Sequence, residues 1–263
     1  MASKNTIKIY EANAYYHLYN RGVGKMEIFK EEEDYVVFLH YLRIIFSPLE
    51  VLRQEFLQIS TTESSGSKHI KSLTHALNQA ARLKIFQNVE LLSFCLMPNH
   101  FHLLVYQKVK NGIELLMRRL ATGYSSYYAK KYNHVGPVFC RPYKASHLHY
   151  DPELQALAVT HYIEHNPLAI NLPKKPSWEA QNNEQFYPFS SLRYYSSLDN
   201  NLKMQPPVWL KTEHLRNIFL KIKSKPNGLF EEMVAKHQGL TDFIISDAKF
   251  DLEEIRLQHL AIL

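Results

Sequence analysis

The chain has 263 residues, 46% hydrophobic and 21% charged; this composition excludes wholesale disorder, and the length allows one large domain or one domain with an appendage. Its two cysteines, Cys95 and Cys140, cannot form a disulfide scaffold, and its short apolar stretches cannot span a bilayer, so we expect a cytoplasmic protein with no membrane partner. The net charge of +6 is compatible with a polyanionic partner but does not require one.

The first third of the chain predicts one strand and two helices. Residues 14–21 are rich in aromatic side chains and indicate a strand that runs into a turn. The apolar residues of 35–46 keep the spacing of one helix face, and Pro48 ends this helix. The small polar residues of 60–67 indicate a linker or mobile loop, after which we expect a second helix over 70–83.

The middle of the chain predicts a β-hairpin followed by a long helix. Residues 89–95 and 101–106 have the composition of strands, and the Met-Pro-Asn sequence at 97–99 indicates a tight turn between them. Helical spacing of the apolar residues then returns, so we expect a helix that begins near Asn111 and ends before Gly136.

The last third predicts a short strand over 138–144, a helix and a tail. The Asp-Pro-Glu sequence at 151–153 supplies a cap, a proline at the first position and an acid in the first turn, so a helix begins there and runs to about His165. From 210 to the end we expect two or three short helices. Strands and helices that alternate around an antiparallel hairpin predict an α+β sheet with helices packed on it.

Two histidines beside the predicted turn are the sharpest local feature. In a strand, residues i and i+2 point to the same face, so His100 and His102 would project together while Phe101 points away. Two imidazoles at this spacing can converge on one divalent ion. Because the chain has 14 histidines, the pair alone is a weak signal.

A second group of polar residues lies at the end of the predicted helix. Tyr162 and Asn166 are at i and i+4 on one helix face, and an amide oxygen there could join a metal site. His161 and His165 have the same spacing, which is also that of a zinc-binding pair. Taken alone, either pair is more often an ordinary helix end.

Together, these segments resemble the single-tyrosine HUH transposases, and most closely the REP-associated tyrosine transposase branch. "HUH" denotes His, hydrophobic, His, here residues 100–102, and the tyrosine segment 162–167 follows about 60 residues later. Other runs agree in order, and the resemblance covers about residues 10–196; these runs are 16–22, 136–139 before 144–146, and 187–191.

The resemblance implies a ferredoxin-like antiparallel sheet that carries the two histidines, and cleavage and rejoining of single-stranded or hairpin DNA. It implies Tyr162 as the nucleophile, which would form a 5′-phosphotyrosine intermediate. His100, His102 and Asn166 would be ligands of Mg²⁺ or Mn²⁺. Relatives act as monomers or homodimers, and the sequence does not decide between the two.

We expect DNA to be bound by basic and polar side chains from three segments. These residues are Tyr16, His17, Asn20 and Arg21 on the first strand, Arg118, Arg119, Lys130 and Lys131 on the long helix, and Arg141 and Lys144 beyond it. On the long helix, Tyr124, Tyr127, Tyr128 and Tyr132 have two equal interpretations. They could stack on bases beside the cations, or they could complete the apolar stripe of the helix.

The domain prediction is a catalytic domain over 1–196, with an insertion at about 47–86, and a helical C-terminal extension over 197–263 of unknown role. Two other functions stay open. A domesticated DNA-binding protein or repressor would keep the fold without cutting. A zinc hydrolase would use His161 and His165 instead.

Overall fold

The structure is a computed structural model, and it describes residues 10–62, 74–75, 77–78, 80–82, 84–140, 142–169, 187–195 and 205–223. The elements of these ranges are β1 (Ala14–Arg21), α1 (Glu32–Phe46), α2 (Leu49–Thr62), α3 (Ile85–Asn88), β2 (Val89–Met97), β3 (His100–Gln107), α4 (Gly112–Tyr132), β4 (Lys144–Leu148), α5 (Pro152–His165) and α6 (Thr212–Lys223). Single 3₁₀ turns follow β1 and α5, at Val23–Lys25 and Asn166–Ala169, and another lies at Leu192–Tyr194.

The four strands of the described residues form one antiparallel sheet in the order β2-β3-β1-β4. β1 is central, because it pairs with β3 on one side and with β4 on the other. This order, with helices between β1 and β2 and between β3 and β4, is ferredoxin-like. The predicted fold class is therefore confirmed.

One face of the sheet, which we call the structural face, packs against α1 and α4. Alternate strand residues supply its core, among them Leu18, Phe101 and Leu103, and burying each such side chain contributes roughly 1.5–3 kcal/mol. α1 begins with a capping box in which the side chains of Glu31 and Asp34 accept hydrogen bonds from each other's backbone N–H groups. The acidic run at this point is thus a helix start.

The opposite face, which we call the site face, is covered by α5 and α6. Leu104 of β3 packs there with Val159 and Ile163 of α5 and with Ile218 of α6. α5 begins after Asp151 with Pro152 in its first turn, as the sequence predicts.

The outer edge of β2 is covered by chain from beyond α5. The backbone N–H of Leu96 donates to the carbonyl of Phe189 at 2.9 Å, and that of Ser191 donates to Phe94 at 2.9 Å. The N–H of Lys211 donates to the carbonyl of Leu91 at 2.8 Å. The part of the predicted C-terminal extension around Lys211 therefore packs on the four-stranded sheet.

Several predicted bounds need correction. The strand expected over 138–144 begins only at Lys144, because Pro142 lacks an N–H; Phe139 makes an isolated bridge to Gly22. The linker expected from residue 60 is wrong for 60–62, which end α2, and its remainder lies outside the described residues. Within 70–83 the described residues are helical. In the ranges described, every helix is too short or too polar to cross a membrane.

Candidate active site

The two histidines of the HUH motif lie side by side on the site face. Their ring centroids are 5.0 Å apart, and the rings are nearly perpendicular. His102 is buried and His100 is half-buried. β3 therefore places both histidine side chains on one face of the sheet, as the sequence predicts.

Helix α5 brings Tyr162 to this pair. The ring centroid of Tyr162 lies 5.8 Å from that of His102 and 5.9 Å from that of His17, with edge-to-face geometry in both cases. Tyr162 is half-buried, so its ring is held by the fold while part of it faces solvent. One chain thus places its own tyrosine beside its own histidines.

His17 of β1 also belongs to this cluster. The sequence predicted only that His17 binds DNA. Its Nε2 lies 2.8 Å from Nδ1 of His102, and the two rings stack with centroids 5.0 Å apart. Tyr19 stacks on the same His102 ring at 5.5 Å. The missing information was strand register, which sets Tyr19 opposite His102 and which no local pattern predicts.

Burial keeps this histidine pair neutral. It lowers the pKa of His17 to about 3. Burial, together with the neighbouring His100 and His17, also holds the pKa of His102 well below its ordinary value. A neutral imidazole is the form that binds a metal ion, so the burial of His102 suits a ligand.

The turn before β3 fixes the orientation of His100. Its Nδ1 lies 2.6 Å from Oδ1 of Asn99, while Nδ2 of the same amide lies 3.5 Å from the carbonyl of Lys25. Because an amide oxygen can only accept, Nδ1 of His100 carries the proton in this arrangement, and Nε2 carries the lone pair.

Asn166 follows the last residue of α5 and is 8% exposed. Its Nδ2 is buried without a hydrogen-bond partner among the described residues. Rotation of the amide by 180° exchanges Nδ2 with Oδ1, so this position can present a ligand oxygen instead.

The donor set fits a hard or borderline divalent ion with open coordination positions. It comprises the predicted ligands, namely the imidazoles of His100 and His102 and the amide of Asn166, and neither Mg²⁺ nor Mn²⁺ needs an all-protein site. Across the ranges described, no group of three or more His, Cys, Asp and Glu side chains could hold a metal. The alternative zinc pair stays a prediction, because His161 is exposed and the side chain of His165 lies outside the described residues.

Glu164 anchors α5 behind the tyrosine, a role that the sequence did not indicate. The carboxyl is 4% exposed, and its Oε1 accepts a hydrogen bond of 2.8 Å from Oγ of Ser191. Burial raises the pKa of Glu164 to about 8. The segment that covers the edge of β2 is thereby tied to the helix that carries Tyr162.

Two of the predicted DNA-binding residues lie beside the histidines. Arg21 pairs with His100, and Lys144 pairs with Tyr19, so both cations share the site face. Tyr16 and Asn20 point to the other face and are buried, so the prediction that these two side chains contact DNA is wrong for the chain as folded. Arg141 lies outside the described residues.

The tyrosines of α4 belong to the core, so the apolar-stripe interpretation is correct. Tyr127 and Tyr132 donate to the two carboxylate oxygens of Asp34 at 2.8 and 2.7 Å. Tyr128 donates to a backbone carbonyl at 3.0 Å. Lys131 forms ion pairs with Asp34 and with two further carboxylates of the α1 start, those of Glu31 and Glu33.

The remaining cations of α4 lie on the layer opposite the histidines. Arg118 and Lys130 are exposed, and Arg119 is half-buried. Their part in DNA binding stays a prediction.

Residues 63–166 match the family model described as "Transposase IS200 like". We call residues 63–166 the transposase segment. The transposase segment contains His100, His102 and Tyr162, and it ends at Asn166. It begins inside the predicted insertion and leaves β1, with His17, outside the match.

A solved structure of a REP-associated tyrosine transposase bound to a REP hairpin also aligns with this chain. The TM-score is 0.38 at 10% sequence identity, and the alignment covers 78% of this chain and 93% of that one. A TM-score of this size does not by itself indicate a shared fold. No curated protein sequence matches this chain.

Proposed function

We propose that this protein cuts and rejoins single-stranded DNA through a covalent link between DNA and Tyr162. The observation that carries the proposal is the position of the tyrosine ring, 5.8 Å from His102 and within an IS200-like transposase segment. A tyrosine hydroxyl and two imidazoles on one face form an arrangement suited to phosphoryl transfer.

The transfer step needs only the hydroxyl of Tyr162 and one phosphodiester. The oxygen Oη forms a bond to phosphorus, and the bond from phosphorus to the 3′ oxygen breaks. The phenol proton ends on that oxygen, which leaves as a 3′-hydroxyl, and the other DNA end stays attached to the tyrosine as a 5′-phosphotyrosine. Attack by a second 3′-hydroxyl reverses these steps and joins strands without a nucleotide cofactor.

The residues around the tyrosine position and neutralise the phosphate. We assign His100, His102 and Asn166 to hold Mg²⁺ or Mn²⁺. When bound, such an ion polarises the scissile phosphate and offsets the charge that develops on it. Arg21 and Lys144 lie on the same face and would contact the flanking phosphates.

The substrate class follows from the resemblance to the REP-associated branch. We propose a hairpin with a single-stranded segment at its side as the DNA recognised. The hairpin would contact the two cations of the site face, Arg21 and Lys144, and the single strand would pass the half-buried ring of Tyr162.

The test uses one hairpin oligonucleotide labelled at either end, with Mn²⁺ or with EDTA. Because the tyrosine retains the 5′ phosphate, the 3′ label should enter an SDS-resistant protein adduct. The 5′ label should appear on a shortened fragment that a polymerase can extend. A label pattern of the opposite polarity contradicts the proposed bond. Tight hairpin binding without a cut in Mn²⁺ supports the non-cleaving repressor instead.

The position of Tyr162 also predicts cleavage within one chain. A mixture of Tyr162→Phe and His102→Ala proteins should stay inactive, because neither chain carries a complete site. Recovery of more than a trace of cleavage in the mixture would show that the tyrosine acts on the histidines of another copy.

A further inference from the structure

We infer that His17 is a positioning residue that sets the tautomer of His102. The inference rests on the proposed function, because it takes His102 to be a metal ligand. His17 stands on β1, outside the segment that matches the transposase family. Its Nε2 lies 2.8 Å from Nδ1 of His102, and each residue is 5% exposed, so water does not compete freely for this contact.

The hydrogen bond between the two rings has two possible directions. If His17 donates from Nε2, Nδ1 of His102 accepts, and the His102 proton must lie on Nε2. If His17 accepts, Nδ1 of His102 carries the proton, and Nε2 keeps the lone pair that a metal ion needs. Only the second direction presents a ligand.

The neighbouring His100 makes the same kind of hydrogen bond through its Nδ1, and there the direction of the hydrogen bond is fixed. There the partner is Oδ1 of Asn99, which can only accept, at 2.6 Å from Nδ1. His17 would do for His102 what Asn99 does for His100. Both imidazoles then turn Nε2, the same ring nitrogen, to the metal, and an outer partner holds each one.

The ring contacts of His17 allow the hydrogen bond to be removed while stacking is kept. His17 stacks on His102 and lies 5.0 Å from Tyr19, contacts that a phenylalanine ring reproduces. His17→Phe therefore removes the hydrogen bond, and His17→Gln restores an acceptor oxygen. His147→Phe is the matched control, because His147 stacks on Tyr16 on the structural face.

The experiment measures Mn²⁺ binding to the full chain, without DNA, by the electron paramagnetic resonance of the free ion. We expect His17→Phe to weaken binding by about 10- to 100-fold, His17→Gln to recover most of it, and His147→Phe to bind as the wild type does. Thermal unfolding of each variant checks that the fold is kept. Equal affinity of folded His17→Phe and the wild type overturns the inference.

A second measurement needs no substitution at position 17. The ¹⁵N shifts of the His102 ring in the metal-free wild type report which nitrogen carries the proton, and we expect Nδ1. A proton on Nε2 overturns the inference and leaves the nucleophile assignment untouched. If the wild type binds Mn²⁺ no better than His102→Ala, the proposed metal site fails, and the role of His17 fails with it.

Discussion

The two faces of the sheet carry tyrosines and buried polar groups in different surroundings. On the structural face, Tyr127 and Tyr132 give their hydroxyls to the buried carboxylate of Asp34, and Lys131 completes the group. On the site face, Tyr162 is half-buried beside His102. At the end of α5, Nδ2 of Asn166 is buried and has no hydrogen-bond partner within the described part of the chain.

The contrast separates two kinds of buried polar group, those that stabilise the fold and those that could bind a ligand. A group whose hydrogen bonds are all made within the protein stabilises the fold, because leaving any one unmade costs about 1–3 kcal/mol. A buried group with an unmade bond carries that cost in return for something outside the chain. By this criterion the tyrosines of α4 stabilise the fold, and Asn166 after α5 is a group that a ligand could satisfy.

The largest expected effect separates the tyrosines of the two faces. Tyr162→Phe should reduce covalent protein–DNA adducts to below detection, because no other atom replaces Oη, while hairpin affinity changes little. Tyr127→Phe, the matched control, should form adducts normally and lose about 1 kcal/mol of stability with its bond to Asp34. Adducts from the Tyr162 variant would refute the assignment of the nucleophile. Gel analysis of labelled DNA and urea denaturation provide the measurements.

The histidines should separate in the same way. His102→Ala is expected to abolish Mn²⁺ binding and to slow cleavage by at least about 100-fold, because the phosphate loses electrostatic stabilisation. His147→Ala, on the structural face, should keep both properties. Metal titration and single-turnover cleavage measure the two effects. Full activity of the His102 variant would remove the metal from the mechanism.

Breaking the structural face should affect stability alone. Burial by itself would raise the pKa of Asp34, but hydrogen bonds from Tyr132, Lys131, Tyr127 and the backbone of Lys30 outweigh it and hold the pKa below its ordinary value. Asp34→Asn should therefore lower the free energy of unfolding by about 3 kcal/mol.

The control for Asp34 is Glu33→Gln, because the Glu33 side chain is 65% exposed and its ion pair with Lys131 should contribute less than about 1 kcal/mol. Cleavage per folded molecule should match the wild type for both variants. A change in cleavage rate with Asp34→Asn, measured below its unfolding transition, would contradict the division between the two faces.

The smallest expected effect is a pH dependence on the site face. Because the pKa of Glu164 is raised to about 8, the native protein keeps a proton that the unfolded chain releases above about pH 4.5. The stability contributed by this group is therefore present below pH 4.5 and is lost as the pH rises to 8.

Glu164→Gln keeps the oxygen that accepts from Ser191 and removes the titration. The variant should be more stable than the wild type at pH 8 and equal to it at pH 4. Unfolding in urea at the two pH values measures the difference. An equal difference at both values would show that the carboxyl is ionised in the native state.

Local sequence patterns predicted those elements whose signals lie within a few neighbouring residues. The turn at 97–99 and the i, i+2 spacing of His100 and His102 require only two neighbouring strands, and the structure has them. The helix start at 151–153 likewise depends on cap chemistry within a few residues. For this reason these parts of the site were predictable from the sequence.

Other features depended on contacts between distant segments. His17 reaches His102 only through the register of β1 on β3, and Ser191 reaches Glu164 only after the chain returns along β2. The strand expected at 138–144 begins later because its residues are taken up by the turn after β1. No periodicity encodes such distant partners.

The cover on the outer edge of β2 bears on how the protein can be shortened. Ending the chain at residue 196 would remove Lys211, whose N–H meets the carbonyl of Leu91, and would strip Leu215 and Ile218 from the apolar surface of α5. A strand edge that is partly uncovered beside an exposed apolar patch invites self-association. A protein truncated at residue 196 is therefore expected to precipitate, and a shortened chain for crystallography should extend at least to Lys223.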